Sequence, residues 1–235
     1  MSTRPSRKLL AIVSLAAILL PECDSLPGRP SQAELPVRPS DVTDFATLYR
    51  DNCSGCHGID GKFGAAVAMN NPVYLAIIDH TAMRRVIAEG VSRTSMPPFA
   101  QSAGGSLTDS QIDLVVAGIY KSWASSEDSG AGAPPYSSTA GGNPANGAQV
   151  YAASCQSCHG PDGKGGPMVG SVVDPSYLSL VSDQYLRTIV IAGRPELGQP
   201  DWKHDASGQP LTPVQISDVV AWISSKRAAP LAAND

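Results

Sequence analysis

The chain has 235 residues, of which 42% are hydrophobic and 16% are charged, and its formal net charge is −4. This length favours two domains of roughly 100 residues each. The net charge is negative and the sequence has no basic stripe, so the chain lacks the positively charged surface that nucleic-acid-binding proteins need.

The N-terminal segment has the pattern of an export signal. Arg4, Arg7 and Lys8 precede an uninterrupted apolar run, "LLAIVSLAAILL", at residues 9–20. A positive region followed by a short apolar run is typical of a signal peptide, and the run is shorter than the roughly 20 residues of a membrane span. We therefore interpret residues 1–22 as a signal peptide, which predicts a periplasmic or cell-surface protein.

Cys23 follows this segment directly, in "LLPECDS". The position resembles the acylated cysteine of bacterial lipoproteins, although Glu22 and Pro21 stand where that family has a small residue. The resemblance implies a lipid on Cys23 that attaches the protein to a membrane, with Pro-rich residues 23–40 as a tether. The alternatives are a soluble exported protein with a spare thiol and an uncleaved anchor.

Beyond the tether, one module occurs twice, at an offset of 102 or 103 residues. The first copy contains "YRDNCSGCHGIDGKFG" and the second contains "YAASCQSCHGPDGKGG". A segment rich in Ser, Gly and Pro separates the copies, and its low apolar content predicts a flexible to semi-extended linker that does not pack. The predicted boundaries are residues 41–125 for the first domain, 126–142 for the linker, 143–228 for the second domain and 229–235 for a tail.

Each module carries helical signals. Thr108 with Gln111, and Thr212 with Gln215, have the spacing of a capping box before the last helix of each copy. Apolar residues then recur at helical spacing, which predicts one buried face. Asn143-Pro144 similarly opens the first helix of the second copy. Middle helices are expected near residues 81–89 and 183–192, and no segment shows the alternation of a strand. The sequence therefore predicts an all-α protein.

Two motifs of the form C-x-x-C-H, "CSGCH" and "CQSCH", occupy equivalent places in the two copies. This is the attachment pattern of haem c. Two thiols three positions apart can add to the two vinyl groups of one haem, and the adjacent histidine then lies under the iron. Half of a zinc site or a redox dithiol are the alternatives for a single copy, but a redox dithiol favours a βαβ context that is absent here. The residues concerned are Cys53, Cys56, His57, Cys155, Cys158 and His159.

On these motifs, both modules resemble class I cytochrome c domains, and the chain is similar to bacterial di-haem cytochromes c. The resemblance implies two covalently bound haem c groups, each on a tandem all-α domain. In each domain an N-terminal helix would carry the attachment motif and a C-terminal helix would cross it. It also implies that His57 and His159 bind iron, with a methionine on a later loop as the sixth ligand.

The sixth ligand differs between the copies. Met96, in "SMPPF", fits the methionine position of the first module, whereas Gln199 occupies that position in the second. The amide of Gln199 facing the iron, directly or through a water, is one possibility; His204, Met168 and no ligand are the others. Each predicts a second haem unlike the first, and loss of a thioether predicts a lower potential.

These features favour an electron carrier over an enzyme. The resemblance implies transfer of single electrons between respiratory or photosynthetic membrane complexes, and no catalytic constellation is visible outside the haem motifs. The alternatives are a peroxidase-like haem enzyme and a gas-binding sensor, both using an open or weakly ligated second haem. A subunit of a larger dehydrogenase or oxidase is a further alternative. Three arginines, Arg84, Arg85 and Arg187, are expected on solvated helix faces rather than on haem propionates.

Overall fold

The computed structural model describes residues 36–125, 130–167, 169–204 and 207–228. These residues fall into two units that divide between Asp41 and Val42. The described part of the first unit contains one 3₁₀ turn, Pro39–Asp41. Both modules belong to the second unit.

Several predictions concern residues outside these ranges. The signal peptide at residues 1–22, Cys23, Met168 and the tail at 229–235 lie outside the described residues, as does most of the tether. In the part of the chain that is described, no helix is both long and apolar enough to cross a membrane.

The first module consists of five helices, which include the predicted middle and last helices and a short additional helix between the attachment motif and the middle helix. Helix α1 leads into the short helix α2, two further helices follow, and the long α5 closes the module. A 3₁₀ turn, Gln101–Ala103, precedes α5. The bounds are α1 Phe45–Asn52, α2 Ser54–His57, α3 Pro72–Ile77, α4 His80–Glu89 and α5 Asp109–Trp123.

The second module repeats this order. Its bounds are α6 Pro144–Ser154, α7 Gln156–His159, α8 Pro175–Leu180, α9 Asp183–Ala192 and α10 Pro213–Ser224, with 3₁₀ turns at Pro161–Gly163 and Pro195–Leu197. Across the described residues, β-structure is limited to two isolated bridges, Ala100 with Leu107 and Arg194 with Gln199. The all-α prediction is confirmed.

Both predicted capping boxes are present. The Thr108 hydroxyl accepts from the Gln111 amide N–H while the Gln111 side chain accepts from the Thr108 N–H, and Thr212 and Gln215 make the same reciprocal pair. Each box satisfies two of the backbone N–H groups that the first turn of a helix leaves free. The caps fix where α5 and α10 begin, directly after the loops that carry Met96 and Gln199.

The predicted apolar stripes form the core. One buried cluster lies around α5 and extends into the second module, because Ile191, Trp202 and Ile216 belong to it. A second cluster lies between α6 and α10, where Tyr151 packs on Trp222 with ring centroids 4.3 Å apart. The two modules therefore share apolar contacts, and α9 packs against α3. The buried stripe residues are Ile112, Val115, Val116 and Ile119 in α5, and Ile216, Val219, Val220 and Ile223 in α10.

Part of the linker packs, contrary to expectation. Tyr136 lies partly buried against the first cluster. The guanidinium of Arg187 donates to the carbonyl of Pro135 at 2.9 Å and 3.1 Å and to that of Tyr136 at 3.2 Å. Gln184 also donates to the Tyr136 carbonyl, at 2.7 Å. Residues 135 and 136 are therefore held against α9.

Arg187 itself corrects the prediction of a solvated helix face, since the residue is only 5% exposed. Its main-chain partners, which the linker brings from 51 and 52 residues away, could not be seen in the local helix pattern. Arg84, at the equivalent position of the first module, pairs on the surface with Asp113 at 2.7 Å and Asp109 at 2.8 Å. Arg85 is exposed. The prediction is right for the first module and wrong for Arg187.

Candidate haem-attachment sites

The first C-x-x-C-H motif lies where α1 gives way to α2. Cys53 follows the last residue of α1, and Cys56 and His57 lie in α2. Both cysteines are free thiols; Cys53 is half-buried and Cys56 is exposed. Burial, and secondarily the neighbouring Cys56, raises the pKa of the Cys53 thiol to about 11. The two sulfurs are uncrosslinked, as thioether formation with a haem requires.

The second motif repeats this geometry. Cys155 follows the last residue of α6, and Cys158 and His159 lie in α7. Cys155 is half-buried and Cys158 is exposed, and neither forms a disulfide with another described cysteine. In both modules, therefore, the first cysteine of the motif is half-buried and the second is exposed.

The imidazole of His57 is prepared to bind a metal through one nitrogen. Its Nδ1 lies 2.8 Å from the carbonyl oxygen of Val67. Because a carbonyl can only accept, Nδ1 carries the proton and Nε2 keeps its lone pair, the arrangement usual for metal-binding histidines. Burial lowers the pKa of His57, the bond to Val67 opposes this shift, and the charge of Arg194 adds to it. The neutral, ligand-competent imidazole is favoured.

His159 has a different environment. It is half-buried, and burial lowers its pKa. Its Nδ1 is buried without a hydrogen-bond partner among the residues that the structure describes. The two histidines are thus equivalent in sequence, but among the described residues only His57 has a hydrogen-bond partner that orients its imidazole through Nδ1.

A glycine follows each histidine, and the local geometry requires it. Gly58 has φ 82° and Gly160 has φ 74°, a region that side chains rarely adopt. The carbonyl of each glycine accepts from a buried tyrosine of the preceding helix: Tyr49 at 3.0 Å and Tyr151 at 2.7 Å. Both tyrosines are buried and hold the turn after the attachment motif.

The loops that carry the predicted sixth ligands have the same backbone closure. In the first module the N–H of Val91 donates to the carbonyl of Met96 at 3.0 Å; in the second, the N–H of Arg194 donates to the carbonyl of Gln199 at 3.0 Å. Each donor follows a glycine with positive φ, Gly90 at 65° and Gly193 at 66°. Met96 and Gln199 therefore occupy equivalent places.

The side chains at these places differ. Met96 is partly buried and packs against the first core cluster. Gln199 donates through Nε2 to the carbonyl of Ile189 at 3.1 Å, which leaves its Oε1 free of that bond. The ligand roles of Met96 and Gln199 stay predictions.

The alternative ligand His204 lies in a more open position. Its side chain is 74% exposed, and its Nδ1 lies 2.8 Å from a carboxylate oxygen of Asp201. The remaining alternative, Met168, lies outside the described residues.

The donor set fits a haem better than a bare metal ion. Within the described residues, no three His, Cys, Asp or Glu side chains converge where they could hold a metal ion. Each motif instead offers two cysteines outside any disulfide beside one histidine, and at His57 the hydrogen bond to Val67 leaves Nε2 as the donor. Two thiols and one axial nitrogen are the protein groups that covalent haem attachment uses.

Sequence reasoning missed Arg194, which joins the two modules. Its Nη2 donates to the carbonyl of Gly64 in the first module at 2.8 Å, and its Nε donates to Glu196 Oε1 at 2.6 Å. Nearby, the side chain of Asn71 donates to the carbonyl of Ala192 at 2.9 Å. An arginine directly after the loop glycine, where the first copy has Val91, was the only local signal. Its partner lies 130 residues away and could not be inferred from it.

Comparison with known proteins agrees with this geometry. The sequence model of the family described as cytochrome c oxidase, cbb3-type, subunit III matches residues 40–117 and 142–223. A solved chain from the Kuenenia stuttgartiensis reducing HAO-like protein complex matches over 83% of this chain and 100% of its own length, with 16% sequence identity and a TM-score of 0.45. That resemblance is too weak to carry an argument. No curated protein matches in sequence.

Proposed function

The chain belongs to the family of cytochrome c oxidase, cbb3-type, subunit III, and on this premise we propose that it is a di-haem electron carrier. Each module would hold one haem c: Cys53, Cys56 and His57 in the first, and Cys155, Cys158 and His159 in the second. The observation that carries the proposal is the repetition of one motif geometry on two copies of one helical module.

The bound haem supplies a one-electron iron couple. The protein's part is to hold it and to tune it. The thiols fix its position, and His57, with its proton held on Nδ1 by Val67, presents Nε2 in one orientation. Met96 supplies the sixth donor of the first centre, and a thioether there favours reduced iron and a high potential.

The second centre would have Gln199 at the sixth position. Its place in the loop, equivalent to that of Met96 in backbone closure, supports this assignment. An amide oxygen is a harder donor than a thioether, so the second haem would have the lower potential. A carrier with two unequal centres can accept an electron at one and deliver it from the other.

Reciprocal substitution at the two positions tests these assignments. The wild-type mass should exceed that of the polypeptide by two haems, and its methionine-to-iron charge-transfer band should correspond to one haem. Gln199→Met should double the band, and Met96→Gln should remove it. A single haem by mass, or a band unchanged in Met96→Gln, would contradict the proposal.

We further propose that the carrier is exported and attached to a membrane through a lipid on Cys23, where it exchanges electrons with respiratory or photosynthetic complexes. The apolar run at residues 9–20 and the cysteine that follows support this proposal. Metabolic labelling with a radioactive fatty acid should mark the wild-type chain and leave Cys23→Ala unmarked. Equal labelling of both, or labelling of neither, would contradict lipid attachment.

A further inference from the structure

Arg194 lies at the contact between the attachment loop of the first module and the Gln199 loop of the second. The residue is 7% exposed. Its backbone makes reciprocal bonds with that of Gln199, since each N–H donates to the other's carbonyl at 3.0 Å. Its side chain meanwhile reaches Gly64. One residue thus contacts a loop from each predicted haem site.

Gly64 is tightly packed against the first iron-binding segment. A Cβ added to Gly64 would lie 2.1 Å from the carbonyl oxygen of Cys56 and 2.6 Å from the carbonyl carbon of His57. The loop that contains Gly64 also includes Val67, which holds the imidazole of His57. Because Gly64 packs against this segment without a gap, a shift of the Gly64 carbonyl would displace the His57 backbone.

The charges at this contact are well shielded from water. The side chain of Arg194 is 9% exposed and that of Glu196 is 8% exposed, and they pair at 2.6 Å. Charges interact more strongly when removed from water, because the local dielectric constant is lower. The guanidinium donates to the Gly64 carbonyl as well as to the carboxylate, so the positive member of the pair contacts the first module.

We propose that Arg194 is a positioning residue that fixes the His57 loop against the second module and raises the potential of the first haem. This inference rests on the proposed function. Oxidation leaves one more positive charge on the iron, so a nearby guanidinium disfavours the oxidised form. Glu196 opposes this effect through its negative charge.

Two substitutions separate this role from a merely structural one. Arg194→Gln removes the positive charge and should lower the midpoint potential of the Met96-ligated haem. Glu196→Gln removes the negative charge, retains an acceptor for Arg194 and should raise that potential. In each case we expect about a tenfold change in the ratio of reduced to oxidised haem at a fixed solution potential. This change corresponds to a shift of about 59 mV in the midpoint potential of a one-electron couple. Loosened packing would move both variants in the same direction.

The measurement is a potentiometric titration of the purified, haem-loaded protein, followed in the absorbance of the methionine-ligated haem. Arg194→Lys keeps the charge and should retain most of the wild-type potential. The control is Arg84→Gln, which removes an arginine that pairs with exposed carboxylates and should leave the potential unchanged. If Arg194→Gln does not fold, the midpoint potential of Glu196→Gln still decides the question: a rise supports the proposal, and an unchanged or lower potential contradicts it.

Opposite shifts at residues 194 and 196 would support the proposal. Unchanged potentials, or shifts of the same sign, in variants that keep both haems would overturn it and leave the proposed function intact. Absence of haem from the wild-type protein would overturn both.

Discussion

Replacing Arg187 with methionine should destabilise the protein much more than the same change at Arg84. The two residues occupy equivalent positions in α9 and α4, 103 residues apart. Arg187 is buried and donates to two linker carbonyls and, at 3.4 Å, to the hydroxyl of Ser217. Arg84 makes only exposed ion pairs. The duplication therefore provides a control of the same size and chemistry.

The magnitude follows from these contacts. A hydrogen bond that involves a charged group contributes about 1.5–3 kcal/mol net. Arg187 has two main-chain acceptors, but its buried charge opposes this gain, as the lowered pKa that burial gives Arg187 indicates. The freed carbonyl of Pro135, an exposed residue, regains water. We expect a net loss of about 2 kcal/mol for Arg187→Met, against about 0–1 kcal/mol for the surface pairs of Arg84→Met.

The assay is thermal unfolding of the haem-loaded protein, followed by circular dichroism. For a chain of this size, 1 kcal/mol corresponds to about 2–4 °C in Tm, so Arg187→Met should lower Tm by about 4–8 °C. Limited proteolysis adds a local readout, because release of residues 135 and 136 should make the linker easier to cleave. A Tm equal to that of Arg84→Met, with unchanged cleavage, would refute the reasoning.

The duplication provides a second matched pair, Gly64 and Gly166, and a capping box provides a further prediction. Gly64→Ala should greatly reduce haem attachment at the first site, because its Cβ would lie 2.1 Å from the Cys56 carbonyl oxygen. Gly166→Ala should have a mild effect on attachment at the second site, because the nearest contact of its Cβ is at 3.3 Å. The absorbance of haem per mole of protein measures both effects. Thr108→Ala removes the hydroxyl of a capping box and should cost about 1 kcal/mol in the free energy of unfolding, measured with urea.

A specific result would contradict each of these predictions. Equal haem content in the two glycine variants would show that the attachment loop can shift to accept a Cβ. A Thr108→Ala variant as stable as wild type would show that solvent replaces the cap, and Thr108→Ser, which keeps the hydroxyl, is the matched control.

Local signals predicted the middle and last helices of each module, but not the short helices α3 and α8. The capping boxes placed the starts of α5 and α10, and the apolar spacing identified their buried faces. These features depend on residues within a few positions of one another, and such patterns are visible in a single sequence. The equivalence of Met96 and Gln199 was likewise visible, because the duplication aligned their loops.

Contacts between distant segments were not predictable in this way. Arg187 and Arg84 occupy equivalent helix positions, and the return of the linker onto α9 gives Arg187 acceptors that its local sequence does not reveal. Arg194 similarly depends on a carbonyl in the other module. Main-chain acceptors carry no residue-specific signal, so the sequence gives no indication of where a buried arginine will find them.

The backbone closure of the two ligand loops bears on how such a protein diversifies. A main-chain hydrogen bond closes each loop, from Val91 to Met96 in one and from Arg194 to Gln199 in the other. This bond does not depend on which side chain residue 96 or residue 199 carries. After a module is copied, one codon change there can give the daughter a different chemistry while its architecture is inherited intact.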